Sequence, residues 1–248
     1  MNRMMVGLGA AVLALLSQGA VAGCGDVSRS QFEAAANTAA IETDAFGFGL
    51  PMWATMVDET GKVCHVYSTD SGAANTGAAS GNKAWLGSRV ISAQKANTAN
   101  AFSLDGLAIS TGAISVAVYP GGSLYGLQHS NPVDASRAYG GGPATYGTTD
   151  DFLKNKRLGG VNVFGGGVPL YGSSGVKVGG LGASGDTSCR DHAFAYRMRI
   201  ALGLNNQPND DGLAFVAVPA ALFQQPACGV NDPTVSAYNS GPTDFGAR

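Results

Sequence analysis

The chain reads as a single α+β domain, an antiparallel sheet with helices on its faces. Three observations predict this. The segments 50–57 and 62–68 are apolar and flank Asp58-Glu59-Thr60-Gly61, a sequence suited to a hairpin turn. Segments with helical spacing bracket that hairpin. The stretch 160–199 strings together a glycine-broken strand, a turn, a second strand and a capped helix.

In chain order, Asn2 and Arg3 precede an apolar run from Met4 to Leu16, followed by the small residues Ala20-Val21-Ala22. The run is too short to span a bilayer, so residues 1–22 are expected to be a cleaved secretory signal peptide. Val21-Ala22-Gly23-Cys24 also fits a lipoprotein box with Cys24 as the lipidated residue. An Ala-rich helix is expected from Ser28 or Ser30 to Thr43, then the hairpin. Ser71 to Asn82 is small and polar, a loop. Trp85 to Phe102 forms a central helix, and Ile114 to Tyr119 resembles a strand ending at Pro120-Gly121-Gly122. From Leu127 to Gly159 the chain is rich in Gly, Asn, Pro and Thr, the composition of a long surface loop or flap. Val176 to Ala183 reads as a strand carrying Gly179, Gly180 and Gly182. Side-chain-free strand positions mark the close approach of something flat or of a backbone. Ser188 can cap the next helix, with Asp191 completing a capping-box-like pair. Phe194, Met198 and Leu202 follow at helical spacing, and Gly203 can stop the helix. A short strand-like LAFVAV and a Pro-punctuated tail close the chain.

At 248 residues, 13% charged and 45% hydrophobic, the chain has material for one core. A net charge of −2 without a basic run argues against a nucleic-acid partner. The 37 glycines show no period of three, so they signal turns and bulges and not collagen. No second apolar segment is long enough to cross a membrane. The four cysteines are an even set, as two disulfides in an oxidising compartment require, whereas lipidation of Cys24 would leave one odd thiol. Periplasmic or secreted export is therefore preferred over a lipoprotein. Of three possible pairings the preferred one is Cys24–Cys64 with Cys189–Cys228. It would tie the mature N-terminus to the hairpin and the tail to the last helix.

Catalytic and nucleotide motifs are absent. GASGDT, 182–187, precedes a helix N-terminus, a general anion site, yet lacks phosphate-loop and dinucleotide spacing. Ser184 lies in G-A-S-G, which is not a hydrolase elbow. There is no H-E-x-x-H and no zinc spacing.

Four segments carry a resemblance. FGGGVPLY (164–171), VGGLGASGDTSCRDHAFA (178–195), WATMVDETGKVCHVYSTD (53–70) and GSRVISAQKANTANAF (87–102) are similar to the motifs of GlcG/HbpS-type haem-binding proteins. The likeness covers most of Phe32 to Leu204, giving a domain at 23–204 with an insertion at about 103–159 and an extension at 205–248. It implies a profilin-like sheet, a homo-oligomer, and noncovalent haem or another tetrapyrrole as ligand, for capture, delivery or sensing. Covalent haem through Cys64-His65 would need a cysteine where Gly61 stands, so one thioether at most could form.

On this reading the ligand lies against the strand at Gly180 and Gly182, near Ser184. Lys95 shares a helical face with Ile91, Thr98 and Phe102 and would hold a propionate, with Arg89 a weaker candidate. His192 and His65 are the possible axial ligands, while His129, in the insertion, reads as a surface residue. Asp70 and Asp191 are either ligand contacts or local caps. Tyr119, Tyr125, Tyr139, Tyr146 and Tyr171 offer an aromatic lid. Two other readings stand beside it. One is an enzyme or binding protein for a small carboxylate metabolite, using Lys95, Asp70 and Asp191; no nucleophile–base pair is visible, so catalysis ranks behind binding. The other is a periplasmic subunit that docks a partner through the insertion.

Overall fold

The computed structural model describes residues 23–41, 47–70 and 84–229. The expected signal peptide and the loop Ser71–Asn82 lie outside them. The α+β expectation holds. Helix α1 (Arg29–Ile41) leads into the hairpin β1 (Trp53–Asp58) and β2 (Val63–Ser68), then α2 (Gly87–Ala101). After two short helices, α3 (Leu127–Ser130) and α4 (Ala135–Ala138), come β3 (Gly167–Tyr171), β4 (Lys177–Ser184) and α5 (Ser188–Ala201). A parallel pair, β5 (Ala214–Val216) and β6 (Gln224–Pro226), ends the described chain. The main sheet is antiparallel in the order β2-β1-β4-β3.

Local chemistry sets the element ends. Ser28 and Gln31 bond reciprocally (Ser28 N to Gln31 Oε1, 2.8 Å; Gln31 N to Ser28 Oγ, 3.2 Å), a capping box for α1. Gly61 turns the hairpin with a positive φ of 77°. The cap of α5 is Thr187, one residue before the expected Ser188; its side chain accepts from Arg190 N. Gly203, at φ 67°, stops α5.

Both faces of the sheet are covered, so the strands read as apolar runs. On one face Ala54, Met56, Leu181 and Ala183 pack with Phe32 of α1 and Phe194 and Met198 of α5. On the other, Trp53, Val57 and Val66 pack with Val90, Ala93 and Ala96 of α2 and with Leu153 and Leu158. Disulfides join Cys24 to Cys64 and Cys189 to Cys228, the expected pairs. Sequence separations of 40 and 39 correspond to about 4 kcal/mol each by the chain-entropy relation. Among the described residues, no helix is long and apolar enough to cross a membrane.

Two expectations are corrected. Residues 111–118 form two 3₁₀ turns, Thr111–Ile114 and Val116–Val118, and no strand. Their N–H groups are taken by i−3 carbonyls (Ala113 to Ser110, Val118 to Ser115), so the segment closes its hydrogen bonds locally and forms no ladder. The segment 127–159 runs over the surface, as its composition suggests, but it is pinned down at a few buried positions and is not a loose flap. Leu153, Leu158 and Ala138 are fully buried. Backbone bonds between Val63 and both Asn155 and Lys156 extend the β2 edge. Arg89 on α2 anchors the segment: its Nε donates to Asp151 Oδ2 at 2.9 Å, Nη1 donates to the Ala138 carbonyl, and the guanidinium lies 3.8 Å from the Tyr146 ring centroid.

Candidate functional site

The glycines of β4 are covered by backbone. A Cβ on Gly182 would stand 1.9 Å from the Ser92 carbonyl oxygen, and one on Gly180 would stand 2.3 Å from that of Ala96. Helix α2, with Ser92, Ala93 and Ala96 on this side, is seated directly on the strand, and Ser92 Oγ bonds Thr55 Oγ1 at 2.8 Å. No planar guest fits against Gly180 and Gly182, because the central helix occupies that space. Ser184 is buried at the end of β4, paired with Trp53.

Lys95 is fully buried. Its Nζ donates to Asp191 Oδ2 at 2.7 Å and to the Ala183 carbonyl at 3.0 Å, and lies 4.5 Å from the Phe164 ring centroid. It thus ties α2 to β4 and α5 and is not available to a propionate. Burial pushes Asp191 up to about 6 even with Lys95 beside it, and burial lowers Lys95. Asp191 Oδ1 accepts from Asp186 N at 3.0 Å. The anion position at the start of α5 is filled by the chain itself. The Asp186 carboxylate accepts from the N–H groups of Phe48, Leu50 and Thr187 and from Arg190 Nη1, all within 2.9 Å. Burial raises this carboxyl, but those donors outweigh burial and hold it below its usual range.

Neither expected axial histidine faces open space. His65 Nε2 donates to the Val27 carbonyl at 2.7 Å, and its ring lies 5.1 Å from that of Phe32. His192 is fully buried beside Phe215 and Tyr196, and neither ring nitrogen has a hydrogen-bond partner among the described residues. Burial, with the charges of Arg199 and Lys95, pushes it down to about 3, so it is neutral. Arg89 is committed to Asp151, and Asp70 is buried just after β2, with its N–H on Ser68 Oγ. His129 is exposed on α3, as expected.

An open cleft does exist, in another place. It has a volume of about 350 Å³ and lies between the 3₁₀ turns, the segment before β3, the start of α5 and β6. Val118, Pro120, Val163, Phe164 and Pro226 make its walls apolar, and Tyr119 adds a phenol. Gln225 fixes one wall, accepting from Gly165 N and donating to Ser188 Oγ, each at 2.6 Å. The Cys189–Cys228 bridge holds the same wall to α5. Phe164 separates this cleft from Lys95.

Residues 30–198 match the family described as haem degrading protein, HbpS-like. The chain belongs to this HbpS-like family. Solved structures similar to it include the Klebsiella pneumoniae protein ORFY, at 24% identity over 70% of this chain and 86% of that one, with a TM-score of 0.45. A PduOC–haem complex is similar at 23% identity over 72% of this chain and 94% of that one, with a TM-score of 0.47. No curated protein matches.

In this HbpS-like chain the wall residue Tyr119 was expected only as part of an aromatic lid, and Phe164 and Gln225 were not expected at a site. Nothing local brings 115–120 next to 225–228; only the Cys189–Cys228 pairing hinted that the tail reaches the start of α5. Among the described residues, one group of metal-ligating side chains comes together, Cys24, Asp58 and Cys64, and its two sulfurs are joined as a disulfide.

Proposed function

We propose that this protein binds haem noncovalently in the apolar cleft beside Phe164, as an exported carrier or sensor. The observation that carries the reading is the cleft itself, about 350 Å³ of largely apolar wall in a chain whose family is described by haem. The lining chemistry suits the edge of a porphyrin ring. Val118, Pro120, Val163, Phe164 and Pro226 would hold its faces, and the Tyr119 phenol is an iron-ligand type. His129, on α3 next to the wall residue Gln128, is the other candidate ligand. Among the described residues no cation lines the cleft, so the propionates would face solvent. Bound haem supplies a redox-active iron; the chain supplies an apolar slot and one oxygen or nitrogen donor. The two disulfides support action outside the cytoplasm.

A hemin titration followed by absorption tests this. The expected result is a saturable Soret shift at one haem per chain. Ala227→Trp, an exposed cleft position, should weaken binding at least about tenfold, or 1.4 kcal/mol. His192→Leu should leave it unchanged. Tyr119→Phe and His129→Ala, measured singly, identify the ligand by the altered spectrum. No Soret shift, or equal binding by Ala227→Trp, removes the proposal.

A further inference from the structure

A second cleft, of about 450 Å³, opens at the C-terminal end of α2 and shares no residue with the first. Glu59 of the β1–β2 turn, Asn97 and Asn100 of α2, Leu104, Asp105 and Lys177 of β4 line it. Its polar groups are held in place. Lys177 Nζ donates to the carbonyl and to Oδ1 of Asn100, at 2.8 and 2.7 Å. Asn100 Nδ2 donates in turn to the Glu59 carbonyl at 3.1 Å, locking the turn to the helix. Asp105 Oδ1 accepts from Lys177 N at 2.9 Å.

Two valences are left over. An ammonium has three donors, and two of those on Lys177 are used. Glu59 Oε2 is shielded from solvent and has no hydrogen-bond partner among the described residues. Leaving such an oxygen without a donor costs about 1–3 kcal/mol or more, which an arriving donor restores. Lys177 is half-buried, and burial lowers its pKa against the opposing pull of Asp105 and Glu59. Beside these charges Leu104 presents an exposed apolar side chain.

We infer that this cleft binds a small zwitterion, an aliphatic α-amino acid, with its ammonium on Glu59 and Asp105, its carboxylate on Lys177 and its side chain along Leu104. A simple cation would meet Lys177, and a simple anion would meet Glu59 and Asp105. Only a ligand carrying both charges complements all three groups.

Calorimetry with L-leucine tests it, with isovalerate and isoamylamine as ligands that carry one charge each. L-leucine should bind at one per chain and raise the melting temperature. Each single-charge analogue should bind at least about tenfold more weakly, the value of one charge-assisted hydrogen bond. Glu59→Gln should lose at least about tenfold in L-leucine affinity, and the melting curve of the unliganded variant separates that loss from any change in the fold. Lys177→Gln should lose as much, though its bonds to Asn100 make Glu59→Gln the deciding variant. Absence of heat and of a melting shift at about 10 mM L-leucine, a Kd that would correspond to under 3 kcal/mol, overturns the inference. Equal binding by Glu59→Gln, or by isovalerate, does so as well.

Discussion

Gly182→Ala is the sharpest perturbation the fold offers. The new methyl carbon would lie 1.9 Å from the Ser92 carbonyl oxygen and 2.4 Å from Ala96 N, whereas ordinary contact begins at 3.4 Å. Helix α2 would have to retreat by about 1.5 Å. A radial gap of about 0.5–1 Å already forfeits a quarter to a half of each van der Waals contact, so most of the packing at this crossing is lost. The Thr55–Ser92 bond and the reach of Lys95 to Ala183 stretch as well. Overpacking typically costs about 1–3 kcal/mol, and collision with helix backbone leaves no side chain to swing aside. About 3–4 kcal/mol is therefore expected, a large share of a typical domain's stability. Urea unfolding of the oxidised protein, followed by fluorescence of the buried Trp53, measures it. Gly106→Ala, with no atom within 4 Å of the added carbon, is the control and should stay within about 0.5 kcal/mol of the parent. A Gly182→Ala midpoint indistinguishable from the control's would refute the seating of α2 on β4 and reopen that strand to a flat ligand.

Acid should destabilise the protein through His192. Unfolded, this histidine takes its proton near pH 6.5; folded, only near 3. Between those values the unfolded state holds more protons, so stability falls as pH drops, by on the order of 4–5 kcal/mol in all. His192→Leu should flatten that limb of a stability–pH curve, and an unchanged slope would count against the account. Lys95→Met leaves Asp191 buried without its partner and should cost about 3–5 kcal/mol, while Lys95→Met with Asp191→Leu should recover most of it in the same melt. Arg89→Ala strands Asp151 in the same way. Its distinguishing mark should be faster proteolysis within 131–157 while the 167–201 region stays protected.

The hairpin, the central helix, the β3–β4 pair and the last helix were legible because each carries its own turn or cap, such as Gly61 or Gly203. The even number of cysteines made two disulfides legible, whereas their pairing was one preferred option of three until the structure brought Cys24 to Cys64 and Cys189 to Cys228. The glycines of β4 announced a close approach, but they do not say what approaches. The answer lies in the small residues of α2, Ser92 and Ala96, far earlier in the chain. Lys95 stood out correctly as a lysine on an apolar face, yet its partner Asp191 is a long-range contact that local spacing does not encode. The insertion read as a flap because Gly, Asn and Thr dominate it. Its few anchors, Leu153, Leu158 and Asp151, are scattered too thinly to show periodicity.

Among the described residues, several main-chain groups on both borders of the main sheet are already engaged. Along β2, Asn155 and Lys156 take the main-chain groups of Val63, and the Arg29 guanidinium takes the Val66 carbonyl. Along β3, Thr111 receives Gly167 N, Leu204 receives Tyr171 N, Arg199 holds the Pro169 carbonyl, and Pro169 has no N–H to offer. At these positions a neighbouring molecule would find the ladder groups already taken. That coverage disfavours strand-to-strand joining of copies at these positions and leaves the helical and loop surfaces as the open ground for self-association.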